Sequence, residues 1–165
     1  MESKTRINDL LIKLEKGHQK TRQYFDKLSE EDWQLTVYAG PDWRAHQILA
    51  HFVSAEQHLL DLSQNVAGGG SGVPEGFDID EFNAQEQEKN LGRSPQELLQ
   101  ALDMNRERTL AWVRTLTDDQ LDRMGRHPAL GIIRVEDILT AIYGHQLLHM
   151  RDLARLQRAQ AGGNA

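Results

Sequence analysis

His145 and His149 stand four residues apart inside a segment, Val135 to Arg158, whose apolar residues recur with helical period. Side chains at that spacing stack on one face of a helix, so two imidazoles can reach a single metal ion. The face matters as much as the spacing. Ile138, Ile142, His145, His149, Leu153 and Leu156 form one stripe, which points both histidines toward the expected core. A histidine in apolar surroundings needs partners for its ring nitrogens, and a shared metal would satisfy two rings at once. The sharper zinc-peptidase pattern HExxH is absent, because Gln146 stands where its glutamate would be. A metal therefore needs a third protein ligand from elsewhere.

The candidates are His18, His46, His51, His58 and His127, together with several carboxylates. His51 is the best of them, at the border of an apolar stripe formed by Ile48, Phe52, Ala55, Leu59, Leu62 and Val66. His58 lies on the same flank and reads as a solvated residue near a loop. His46 falls in a first helical turn, where a polar residue is expected. His18 lies on an apolar stripe and reads as a core histidine hydrogen-bonded to a neighbour, beside a pocket at most. His127 precedes Pro128 and reads as a turn residue.

Four helices must position these residues. The first runs from about Lys4 to Leu28, with Ile7, Leu11, Leu14, His18, Thr21, Phe25 and Leu28 on one stripe. The second runs from about Arg44 to Val66. The third follows the cap Ser94 and Pro95 and extends to about Leu116 through Leu98, Leu102, Asn105, Thr109 and Val113. The fourth carries the histidine pair. No segment alternates with period two over a useful length, so the expected fold is all-α, a four-helix bundle with one long crossover between helices two and three. Gly68 to Gly72 and Pro74 open that crossover as a flexible loop, and Asp80 to Leu91 could form a short helix within it. A single domain over residues 1–160 and a disordered tail over 161–165 complete the division. A faint repeat relates Leu28–Trp33 to Leu116–Leu121 and Arg44–Ala50 to Arg134–Thr140, with Ser29 and Thr117 as matching caps. It makes the chain two helix pairs with similar linkers.

The net charge of −6 argues against nucleic acid as a partner, since phosphate binding needs a basic surface. No apolar run approaches a membrane span, and the polar start of the chain has no signal-peptide core, so a cytoplasmic location is expected. With no cysteine in 165 residues, disulfides, thiolate ligands and a cysteine nucleophile are excluded. Any thiol chemistry must use a thiol from outside the chain.

At this point the residues resemble a known family. Trp43 to Glu56, with His51 followed by Phe52 and Val53, resembles the second helix of the DinB-like (YfiT-like) metalloenzyme superfamily. His127 to Gly131, Val135 to Leu139 and the pair His145 and His149 resemble its fourth-helix region. Phe77 to Asn83 looks like the crossover of the branch near the N-terminal domain of mycothiol-dependent maleylpyruvate isomerase. The resemblance implies a four-helix bundle, often a homodimer, with a nickel- or zinc-type divalent metal held by His51, His145 and His149. It also implies a low-molecular-weight thiol as a co-substrate. His145 stands where the isomerase branch can place a glutamate.

Three neutral imidazoles leave an ion's charge intact and coordination positions open, which suits catalysis. The expectation is a metal-dependent thiol S-transferase or hydrolase acting on a small molecule. The alternatives are a non-catalytic metal-binding, stress-associated dimer and a small-molecule-binding protein using the same cavity. Gly68 to Gly72 reads either as a mobile lid or as an idle surface linker.

Overall fold

The computed structural model describes residues 2–163. Four long helices make the body: α1 (Glu2–Asp26), α3 (Ala45–Ala67), α5 (Pro95–Val113) and α7 (Val135–Gly163). Short elements join them: α2 (Glu30–Trp33), β1 (Thr36–Tyr38), β2 (Trp43–Arg44), α4 (Ile79–Lys89), α6 (Asp118–Leu121), β3 (Met124–His127) and β4 (Gly131–Arg134). The fold class is the expected one, an all-α four-helix bundle with one long crossover between its second and third long helices. α7 continues to Gly163, so Ala161 to Gly163 of the expected tail are helical, while residues 164 and 165 lie outside the described residues.

The arrangement explains the crossover. α1 and α3 each pack on both α5 and α7 and lie diagonally opposite one another. Arg6 bonds Glu136 near the start of α7, and Tyr24 bonds Gln157 near its end, so α1 and α7 run parallel. Asn105 Nδ2 donates to the Val53 carbonyl, and Arg106 pairs with Glu56, so α3 and α5 are parallel as well. A parallel neighbour can be reached only if the chain returns along the bundle, about 34 Å for the 23 residues of α3. Residues 68–94, including α4, make that return.

The two strand ribbons correct the expectation that the chain has no strands. β1 pairs antiparallel with β2, and β3 with β4. They are too short to show alternation, β2 having only two residues. They confirm the repeat in another way. Each half of the chain reads long helix, capped turn, ribbon, long helix, and both turns close with capping boxes at Ser29 and Thr117.

The glycine-rich segment is not an idle linker. The Asn65 side chain accepts from Gly72 N–H at 3.1 Å, the Ser71 carbonyl accepts from Arg126 N–H at 2.8 Å, and the Arg126 carbonyl accepts from Val73 N–H at 3.0 Å. The segment pins the β3–β4 ribbon to the end of α3. Gly72 has φ +87°, and a Cβ there would lie 2.4 Å from the Arg126 backbone, so the close approach requires glycine.

Two apolar clusters fill the bundle. Leu10, Leu14, Leu62, Val66, Val135 and Ile138 belong to one, and Phe25, Ile48, Phe52, Leu98, Leu102 and Met150 to the other. Polar residues are buried in the same helices. Arg106 and Glu56 are 2% and 1% exposed and form a two-pronged ion pair of 2.6 and 3.1 Å, with the guanidinium also donating to the Leu14 carbonyl. Such a pair is tolerable only because its hydrogen-bonding capacity is met. Thr21 donates to Gln146 Oε1 at 2.9 Å, which accounts for the buried amide beside His145.

Candidate metal centre

His51 on α3 faces His145 and His149 on α7. The Nε2 atoms of His51 and His145 are 2.8 Å apart, and those of His145 and His149 are 3.1 Å apart. The three rings offer one nitrogen each, all within 4.8 Å of one another. Three imidazoles on one ion, with metal–nitrogen bonds of about 2.0–2.1 Å, hold their nitrogens about 3.3 Å apart. The cluster is close to that spacing.

Its hydrogen bonding also fits a cation. Tyr38 donates its hydroxyl hydrogen to Asp152 Oδ2 at 2.6 Å, so it can only accept from His149 Nδ1, 2.8 Å away. That fixes the His149 proton on Nδ1 and leaves the lone pair of Nε2 aimed at the cluster. A single ring hydrogen within the cluster bridges one of its contacts and leaves another nitrogen facing a lone pair. A divalent cation satisfies all three lone pairs together.

Electrostatics point the same way. Burial, then the neighbouring imidazoles, push the His51 pKa down to about 2. Burial and then His149 push His145 down to about 3. Burial lowers His149 too, with Asp152 opposing it. All three rings are neutral at pH 7, the form that binds metals.

The β1–β2 ribbon supplies the surrounding wall. Trp43 packs against His51 at 4.9 Å between ring centroids, and Tyr38 meets His149 edge-on at 5.5 Å. Phe52, next to His51 in sequence, touches both His145 and His149 at 5.9 Å. Sequence reasoning missed Tyr38 and Asp152. Asp152 carried a faint signal, since it follows His149 by three residues on the same helix face. Tyr38 carried none.

His51 and His145 line a cavity of about 530 Å³ bounded by α3, α4, α7 and the β3–β4 turn, with Phe77, Phe82 and Leu147 among its apolar walls. A larger open groove, about 830 Å³, lies between α1, α2 and the start of α5, away from the histidines.

The remaining histidines divide. His18 bonds Asp103 at 2.7 Å, as expected, but it is half-buried rather than in the core, and it lies off the cavity lining. His46 donates Nε2–H to the Arg93 carbonyl at 2.7 Å, tying the first turn of α3 to the loop before α5. His127, read from the sequence as a turn residue, instead ends β3 opposite Gly131, and its Nδ1 accepts from the N–H groups of Ala129 and Leu130 in the turn that follows. His58 departs from expectation: it is half-buried, stacked on Phe77 and packed on Phe82 of the crossover. The crossover that covers it is remote in sequence, so helical position alone suggested solvent.

The fold is a four-helix bundle whose interior gathers three neutral histidines, a donor set suited to a divalent metal, at a cavity wall. Residues 13–153 match the family model of the DinB superfamily, and the chain belongs to that superfamily. Among solved structures, it is similar to YfiT from Bacillus subtilis, described as a probable metal-dependent hydrolase with an unusual four-helix bundle topology. The TM-score is 0.75 at 21% identity, over 96% of this chain and 90% of that one. It is also similar to mycothiol-dependent maleylpyruvate isomerase, with TM-score 0.72 at 15% identity over 89% of this chain; the match spans 60% of the isomerase. An uncharacterized protein from Clostridium difficile 630 matches with TM-score 0.71 at 15% identity, over 92% of this chain and 95% of that one. These likenesses establish the shared fold. No curated protein matches the sequence significantly. Among the described residues, no helix is long and apolar enough to cross a membrane.

Proposed function

We propose that this protein is a divalent-metal-dependent enzyme that uses His51, His145 and His149 to act on a small molecule, as a low-molecular-weight-thiol S-transferase or a hydrolase. The observation that carries the reading is the placement of the histidine cluster at the wall of a cavity large enough for a substrate, two of its rings lining that cavity. A structural clamp would need no such opening. Nickel and zinc both suit three imidazoles.

When bound, a divalent ion lowers the pKa of an adjacent thiol or water and polarises an electrophile. The chain supplies the rest. Tyr38 and Asp152 orient His149 through its Nδ1–H. Trp43 and Phe52 exclude water from the side of the cluster away from the cavity. With no cysteine, the nucleophilic thiol must be a co-substrate. A cytoplasmic setting goes with that reading, since thiols stay reduced there. Homodimerisation is part of it too, and light scattering giving a monomer mass at micromolar concentration would count against it.

The test is a screen of protein loaded with nickel or zinc against several small thiols and electrophiles, and against hydrolysable esters and amides. Turnover that disappears in His149→Ala, with helical circular dichroism retained, supports the enzyme. A blank across the whole screen transfers the reading to a non-catalytic metal- or small-molecule-binding protein.

A further inference from the structure

The cavity is lined by two further histidines, His58 and His127, that the metal chemistry does not use. His58 follows His51 by seven residues, two turns along the same face of α3, which places them about 10 Å apart along the helix axis. The Nε2 of His58 is buried and has no hydrogen-bond partner. Its ring stacks on Phe77 at 5.4 Å with planes 14° apart, and lies 4.6 Å from Phe82. His127 is close enough to influence His58 electrostatically, and it acts in the same way on His145, so it lies between His58 and the cluster. Because His127 Nδ1 accepts two backbone N–H groups, at 3.0 and 3.1 Å, the neutral ring carries its hydrogen on Nε2. Both rings line the cavity, whose walls also carry the apolar residues Ala55, Leu59, Ala141 and Leu147.

Buried polar atoms in folded proteins are nearly always paired, so an orphan nitrogen beside a cavity marks a place a ligand completes. We infer that His58 and His127 form the recognition end of the substrate site and bind a neutral amide group, carried on an apolar body about 10 Å from the reacting atom at the three-histidine cluster. This rests on the reading that the cluster holds a metal and a thiol. His127 Nε2–H donates to the amide oxygen, and the amide N–H donates to His58 Nε2 in the tautomer that carries its hydrogen on Nδ1. An amide suits this end better than a carboxylate. Burial lowers the pKa of both rings, so neither brings a positive charge. The cation lining the cavity, Arg151, lies beyond His149 at the metal end. An ionised carboxylate would be desolvated there without a counter-charge.

The experiment is a titration of cobalt-loaded protein with ω-mercaptoalkanamides of increasing length, and with methyl-ended and carboxylate-ended thiols of matched length. Thiolate coordination is read from sulfur-to-cobalt charge-transfer absorption. The amide is expected to bind about tenfold more tightly than its methyl-ended match once the chain spans the cavity, the worth of two ordinary hydrogen bonds. The carboxylate should gain nothing. His58→Phe keeps a ring to stack on Phe77 and should erase the gain while 2-mercaptoethanol binds as before. His58→Gln, which retains polar atoms, should keep part of it. Without ligand, His58→Phe should melt no lower than the native protein, since the orphan nitrogen is gone. Equal affinity for amide and methyl ends at every length, a preference for carboxylate, or a gain that survives His58→Phe would overturn the inference. A cobalt spectrum unmoved by any thiol, 2-mercaptoethanol included, would instead overturn the thiol reading and this inference with it.

Discussion

Tyr38 holds His149 by its back nitrogen: the ring donates Nδ1–H to the phenol oxygen at 2.8 Å while the phenol donates to Asp152. The contact joins a three-residue strand to the last long helix, and it decides which His149 nitrogen faces the cluster. Partners of this type typically account for 10–100-fold in metal affinity. Tyr38→Phe should therefore weaken nickel or zinc binding by roughly that factor, measured by competition against a chromophoric chelator. Helical circular dichroism should not change. Native affinity in Tyr38→Phe would show that the ring is oriented by packing alone.

Replacing a ligand should act more severely. His145 contacts both other rings, so His145→Ala is expected to reduce bound metal from one ion per chain to a trace, read by elemental analysis after purification. His18→Ala, which removes a histidine outside the cluster, should leave the metal content intact. Equal loss in the two variants would break the assignment.

The buried histidines set a pH dependence for the metal-free protein. Their folded pKa values lie below the ordinary 6.5, at about 2 for His51 and about 3 for His145. Unfolding therefore takes up protons at any pH below about 6.5, and stability is full above that value and falls as the pH drops. The loss should be roughly 1 kcal/mol per pH unit for each ring. Chelator-treated protein should show a melting temperature that declines steadily from pH 7 to pH 5. His51→Phe should flatten that decline. A melting temperature independent of pH over this range would show that the rings are protonated equally in both states.

The Arg106–Glu56 pair gives a sharper stability test. Glu56→Ala leaves a guanidinium buried without its partner and should cost about 3–5 kcal/mol in urea unfolding. The double change Glu56→Leu with Arg106→Met removes both charges and should recover much of that loss. Additive costs would mean that the two groups do not depend on each other.

Gly72→Ala should destabilise the ribbon clamp, because the left-handed backbone and the 2.4 Å approach to Arg126 both exclude a side chain. Hydrogen exchange should quicken at the amides of Arg126 and Val73 while the bundle interior stays protected. Unchanged exchange there would show that the loop is held by other contacts.

The convergence of the three histidines was legible because each sits on a helix whose apolar period says which way it points. His51, His145 and His149 needed only that and a family resemblance. What lay outside helical period stayed hidden. The ribbons are too brief to alternate, so Tyr38 and Trp43 had no pattern to betray them. Arg106 occupies a buried position beside Asn105, and a charged side chain reads as solvent-facing until Glu56, fifty residues earlier, is placed against it. His58 was misjudged for a related reason: the aromatic residues that cover it arrive from a crossover whose path no local pattern specifies.

That crossover leaves the protein open to change. α4 contributes no buried residue to the bundle, yet its segment supplies Phe77 and Phe82 to the cavity. The clustered histidines, by contrast, are fixed by α3 and α7. The cavity wall and the framework that holds the histidines are therefore separable modules. Under the proposed enzyme reading, residues 78–83 can be rewritten without disturbing the bundle interior, against which Phe77 packs, so new substrate preferences are accessible through a short stretch of chain while the histidine cluster is inherited intact.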